Sequence, residues 1–118
     1  MLKRKILNDL INWKNTKNKE CLLVKGARQV GKTYIIEEFG KNFYDNYVYL
    51  NFFSNPNLKN IFEGNLEASE IYKKMSIYIP NLNLVPNTLI FLDEIQECPN
   101  ARTALKFLAI DNKYDVIA

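Results

Sequence analysis

Two stretches of this chain carry residue types that do chemistry on phosphates. The first, Gly26-Ala27-Arg28-Gln29-Val30-Gly31-Lys32-Thr33, satisfies G-x-x-x-x-G-K-[ST], the phosphate-binding P-loop pattern. Glycine at 26 lets the chain turn sharply out of a strand, and glycine at 31 lets backbone approach a phosphate where a Cβ would obstruct. Backbone N–H groups of such a loop and of the following helical turn point at an anion. Lys32 adds a point charge for β and γ phosphates, and the Thr33 hydroxyl is the expected Mg²⁺ ligand. The second stretch is the apolar run Thr88-Leu89-Ile90-Phe91-Leu92, which ends in Asp93-Glu94. Parallel sheets place their ligand crevice at the carboxyl ends of their strands, so Asp93 is expected beside the P-loop, holding Mg²⁺ through water opposite Thr33. Glu94 is then expected to take a proton from the attacking water or to orient it. The catalytic candidates are Glu94 and Lys32, the nucleotide-binding candidates Gly26 to Thr33, and the metal candidates Thr33 and Asp93.

These residues need a strand before the loop and a helix after it. Residues 21–24 form a short apolar run of strand length. Residues 34–39 continue as a helix with Ile35, Ile36 and Phe39 on one side and Gly40 as its stop. Residues 2–14 read as an amphipathic helix with Ile6, Leu7, Leu10, Ile11 and Trp13 on its apolar face. A helix covering one edge of the sheet is expected there, in preference to one lying near a nucleotide base or on a partner. Residues 15–19 are a polar connection. Residues 47–52 are β-branched and aromatic and predict a strand whose aromatics are core. A turn at 54–57 precedes helical pieces at 58–62 and 66–79, split at Gly64-Asn65 and ended by Pro80. In the second piece Ile71, Met75 and Tyr78 share a face, and Glu70 stands four residues before Lys74. The run 88–92 is continuous enough for a strand covered on both sides. Pro99-Asn100 starts a helix through 109 with Ala104, Leu105 and Leu108 inward, and a last strand begins at 115. Strands alternating with helices predict an α/β fold with a parallel sheet.

The bulk of the sequence excludes several classes. With 118 residues, 47% hydrophobic and 25% charged, the chain has the size of one small globular domain. A net charge of +3 gives no independent reason to invoke nucleic acid or an anionic membrane. Histidine is absent, which removes His-based general bases, Ser-His triads and most zinc sites. Cys21 and Cys98 fit no metal-ligand spacing and read as buried, reduced thiols. No run approaches the roughly 18 apolar residues of a membrane span. The basic start Met1 to Lys5 is followed by no continuous apolar segment, so a cytoplasmic protein is expected.

A guanine-nucleotide reading has one point in its favour. Asn112-Lys113-Tyr114-Asp115 matches N-K-x-D, but in GTPases that tetrapeptide follows a strand, whereas here it precedes one. No Asp-x-x-Gly follows the magnesium strand either, because Asp93 leads into Glu94, Ile95 and Gln96. Residues 112–115 therefore read as a turn. One additional strand, 47–52, between the two motifs suits the ATPase branch in which a glutamate beside the magnesium aspartate activates water.

The wording of the two motifs, G-x-R-Q-V-G-K-T over 26–33 and Asp93-Glu94-Ile95-Gln96, resembles the prokaryotic AAA-type ATPases whose ATPase domain is commonly followed by a C-terminal domain. The resemblance spans nearly the whole chain. It implies a P-loop NTPase three-layer α/β/α fold with a parallel sheet, AAA+/ASCE-like, with ATP and Mg²⁺ as ligands. Residues 1–15 would be an N-terminal helix and 20–118 the P-loop core. The sensor strand of such relatives lies between the P-loop strand and the magnesium strand, and here it is only begun. The chain is thus expected to be an N-terminal fragment, truncated after the start of the sensor strand, and by itself to fold poorly and to hydrolyse ATP slowly or not at all. The missing C-terminal domain is its expected partner; AAA-type relatives often form rings, which leaves a homo-oligomer open here, with no membrane expected and no demonstrated nucleic acid.

Two functions from different classes follow from these residues. One is Mg²⁺-dependent ATP hydrolysis used as a conformational switch on an unknown substrate or partner. The alternative is a nucleotide-dependent binding or regulatory module with little or no turnover. A small-molecule kinase would need an acceptor pocket and a basic lid, which the sequence does not display. Arg28 reads equally as a phosphate or subunit contact and as a solvated loop side chain. Gln96 reads equally as a relay from the site to a partner surface and as a hydrogen bond that fixes the loop.

Overall fold

A computed structural model of the chain describes residues 2–24 and 31–118. The readings placed on 26–30, including Arg28 and Gln29, lie outside the described residues. The elements run α1 (Leu2–Lys14), α2 (Lys32–Phe43), β1 (Asn46–Asn51), a 3₁₀ helix (Pro56–Phe62), α3 (Ala68–Tyr78), β2 (Thr88–Asp93), a short 3₁₀ turn (Ile95–Glu97), α4 (Pro99–Asp111) and β3 (Asp115–Ile117). The three strands pair in parallel in the order β1-β2-β3.

The strand predicted at 21–24 adds to that sheet on the far side of β3. Leu22 bridges Ile117 in parallel. Leu22 N donates to Val116 O (3.0 Å), Ala118 N to Leu22 O (2.8 Å) and Val24 N to Ala118 O (2.7 Å). The sheet thus reads 21–24, β3, β2, β1. The segment leading into Gly26 is separated from the Asp93 strand by the last strand, as the resemblance implied.

Alternation along each strand sorts the core into two layers. Leu89, Phe91 and Ile117 face a cluster with Leu10 of α1 and Ile36 and Phe39 of α2. Val48, Leu50, Ile90, Leu92 and Val116 face the other, filled by Leu58, Ile61 and Phe62, by Ile71 and Met75 of α3, and by Ala101, Ala104, Leu105 and Leu108 of α4. Leu89 to Leu92 are all essentially inaccessible, which is why that run carries no polar residue. Burying a large apolar side chain of this kind contributes about 1.5–3 kcal/mol relative to exposure. The two clusters therefore hold helices on both faces of the sheet, and α1 lies with α2 on one face instead of along an edge.

Four expectations shift. Gly40 does not stop α2, which continues to Phe43. Phe52 lies one residue past β1. Tyr78 is 41% exposed, and Tyr72 takes its expected inward place beside Ile71 and Met75, set edge-on to Tyr114 with ring centroids 4.8 Å apart. Lys74 bonds the carbonyls of Glu63 and Asn65, a tertiary contact in place of the expected helix pair with Glu70. Cys98 is buried and Cys21 half-buried, neither in a disulfide. Burial pushes the Cys21 thiol up to about 11 and raises that of Cys98. No helix is long and apolar enough to cross a membrane among the described residues.

Candidate functional site

The site is assembled from three chain segments that meet where β1 and β2 end. Helix α2 opens at Gly31, whose φ of 117° is left-handed and suits glycine. Lys32 and Thr33 occupy its first turn. Lys32 Nζ donates to the carbonyl of Val24 at 3.0 Å, which ties the helix start to the last described residue before the loop. Thr33 Oγ1 donates to Asp93 Oδ2 at 3.3 Å across 60 residues of sequence. The sequence-predicted partners Thr33 and Asp93 are therefore side by side.

The register of β1 on β2 sets Asn51 opposite Asp93, and Phe52 N donates to the Asp93 carbonyl (3.2 Å). Both Asp93 carboxylate oxygens accept hydrogen bonds. Oδ1 takes the backbone N–H of Glu94 at 2.8 Å. Oδ2 takes, besides Thr33, the Tyr49 hydroxyl at 2.5 Å. Tyr49 is fixed in turn by Asn51, whose Nδ2 donates to the Tyr49 oxygen at 3.0 Å. Asn51 Oδ1 accepts the N–H groups of Phe53 (2.9 Å) and Ser54 (3.0 Å), an Asx-type cap on the turn after β1. Partial burial, and next the bond to Asp93, push the Tyr49 phenol up to about 12, so at neutral pH it is a donor.

Glu94 leaves the strand with φ 56° and ψ 45°, in the left-handed region. Its carboxylate Oε1 accepts from Gln96 Nε2 at 2.7 Å. Of the two readings of Gln96, this hydrogen bond within the loop is the one with a contact. No cluster of three or more Cys, Asp or Glu side chains with metal-holding geometry occurs among the described residues. A groove of about 670 Å³ between the outer side of 21–24 and α4, lined by Cys21, Leu23, Arg102 and Ile110 among others, contains none of these site residues.

Tyr49 and Asn51 are the site residues that reading the sequence missed. The aromatics of 47–52 read as core, and Tyr47 does join the α2-side cluster. Tyr49, however, is 41% exposed. The available signal was strand alternation: 49 and 51 share a face, and both polar tips stand at the carboxyl end where the ligand crevice of a parallel sheet opens.

The N-K-x-D tetrapeptide lies at the opposite end. Asn112 caps α4 in the left-handed conformation, and Asp115 starts β3 in register with Leu89, at the amino end of the sheet. Its carboxylate pairs with Lys19 (2.9 Å) and accepts the Tyr44 hydroxyl (2.6 Å).

No curated protein and no solved structure matches the chain. A family model described as an AAA domain does, over residues 18–118. That span takes in the whole sheet, α2 to α4 and every residue of the Thr33–Asp93 site, and the chain belongs to this AAA domain family, whose general character is nucleotide-binding and ATPase-type.

Proposed function

We propose that the chain binds ATP with Mg²⁺ and hydrolyses it, and that the cycle works as a conformational switch. The observation that carries this reading is the Thr33–Asp93 pair, which joins the P-loop helix to the end of an apolar parallel strand. Residues Gly26 to Thr33 would cradle the phosphates. Lys32 now donates to a neutral carbonyl, and a phosphate oxygen would offer its ammonium an oppositely charged acceptor in place of that carbonyl.

The donor set fits Mg²⁺. Thr33 Oγ1 and Asp93 Oδ2 are hard oxygens 3.3 Å apart, and Mg²⁺ takes one or two protein oxygens while keeping several waters. Bound there, the ion would neutralise charge on the β and γ phosphate oxygens. In the reaction, a water oxygen bonds to the γ phosphorus as its bond to the bridging oxygen breaks and ADP leaves. Glu94 takes the water's proton, held in orientation by Gln96. Glu94 leads directly into the Ile95–Glu97 turn and α4, which supports a route by which occupancy of the site moves a helix.

Calorimetry tests this reading with Mg·ATP, with GTP as control and Lys32→Ala as the comparison chain. Binding of ATP, its loss by at least tenfold in the variant, and weak competition by GTP are expected. A folded wild-type chain that binds neither nucleotide would overturn it.

A further inference from the structure

We propose that Tyr49 is a positioning residue for Asp93, setting that carboxylate for a divalent cation. The inference rests on the nucleotide-and-metal reading of the Thr33–Asp93 site and adds a residue to it. Asp93 Oδ2 receives two hydroxyls of unequal closeness, Tyr49 at 2.5 Å and Thr33 at 3.3 Å. The phenol bond is short and charge-assisted, the stronger kind. The Thr33 bond is long and exposed, and it yields when the threonine oxygen turns to a cation. Tyr49 then keeps one lone pair of Oδ2, which leaves the other for the cation or its water. Oδ1 stays on the Glu94 N–H, so the carboxylate plane has two fixed points.

The tyrosine is itself held. Its ring lies against Phe91, with centroids 5.5 Å apart, and stacks with Tyr47 at 6.5 Å. Its oxygen accepts from Asn51, whose own carbonyl oxygen is pinned by two backbone N–H groups of the following turn. A chain of hydrogen bonds thus runs from residues 53–54 through Asn51 and Tyr49 to Asp93. Partners of this kind that orient a metal-holding carboxylate are worth about 10- to 100-fold in metal affinity.

Tyr49→Phe keeps both ring contacts and removes only the hydroxyl. The test measures, for wild type and variant, ATP binding in EDTA, the melting temperature, and Mn²⁺ occupancy with saturating ATP, read from the EPR signal of free Mn²⁺. Equal metal-free ATP affinity, equal melting and about ten- to a hundredfold more Mn²⁺ for half occupancy in the variant are expected. Unchanged Mn²⁺ demand overturns the proposal while leaving the P-loop reading standing. A variant that loses metal-free ATP binding or melts early marks Tyr49 as structural and also overturns it. Wild type that binds neither ATP nor Mn²⁺ with ATP removes the underlying reading, and the proposal with it.

Discussion

Glutamate seldom adopts a left-handed backbone, because a Cβ there crowds the following carbonyl at a cost of roughly 1–2 kcal/mol. Among the described residues the other non-glycine positions with positive φ are Asn18, Asn81 and Asn112, a residue type that tolerates the region; Glu94 (φ 56°) stands apart. Strain of that kind persists where surrounding structure over-determines it, and such positions concentrate at functional sites. The Glu94 N–H bonded to Asp93 Oδ1 and the Gln96 amide bonded to Glu94 Oε1 contribute to that here. Glu94→Gln separates the two functions weighed above, since glutamine preserves size and can still accept from Gln96 but takes up no proton. Single-turnover assays with protein in excess should show ATP retained and product formation slowed by about 10²- to 10³-fold, within the range of a lost general base. Hydrolysis at the wild-type rate would sink the role of Glu94 and favour a binding module with little turnover.

At the level of elements, Gly40 explains why one boundary was unreadable. A glycine after an apolar helical run looks like a stop, yet α2 continues for another turn. The glycine is there because β1 brings the Tyr47 ring onto the helix: a Cβ at 40 would lie 2.4 Å from Tyr47 Cδ1 and 2.9 Å from Cγ. Alanine would gain about 1 kcal/mol in helix propensity, while forcing a ring seated between sheet and helix to move costs up to about 3 kcal/mol. Gly40→Ala should therefore destabilise by about 2 kcal/mol in urea unfolding, and the loss should shrink in a Tyr47→Ala background. A midpoint equal to or above wild type would show that the ring gives way freely. Periodicity made α1, α4 and the buried strand β2 legible, because local pattern and final burial agree for Leu10, Leu105 and Leu89 to Leu92. Gly40, Tyr72 in place of Tyr78, and the Tyr49–Asp93 bond were not legible, because each depends on a neighbour distant in sequence. The nearness of Thr33 and Asp93 was legible for the opposite reason: each belongs to a pattern of residue types at fixed positions that can be read whatever the packing.

Across the whole molecule, the two ends of the parallel sheet have separate tasks. The carboxyl end carries Thr33, Tyr49, Asp93 and Glu94. The amino end is tied together by Asp115, which joins β3 to Lys19 of the connection after α1 and to Tyr44 at the exit of α2. Lys19 also donates to the Lys14 carbonyl (3.3 Å), and Lys14 Nζ sits 4.2 Å from the centre of the Tyr44 ring. Burial, and next the bond to Asp115, raise the Tyr44 phenol further, keeping it a donor. The side chains of Lys19 and Asp115 are only 13% and 16% exposed, so removing one charge strands the other in a poorly solvated place. A fully buried pair broken this way loses about 3–5 kcal/mol; with this residual exposure, Asp115→Asn should lose about 2 kcal/mol. The same substitution decides what the N-K-x-D tetrapeptide is for. A guanine reader would change nucleotide preference with little loss of stability. An amino-end clamp lowers the unfolding midpoint, in 0.5 M salt as well because the pair is largely shielded from solvent ions, and leaves the ATP-over-GTP preference unchanged. The second outcome is expected, since the parallel register holds Asp115 beside Leu89, a full strand length from the carboxylate of Asp93.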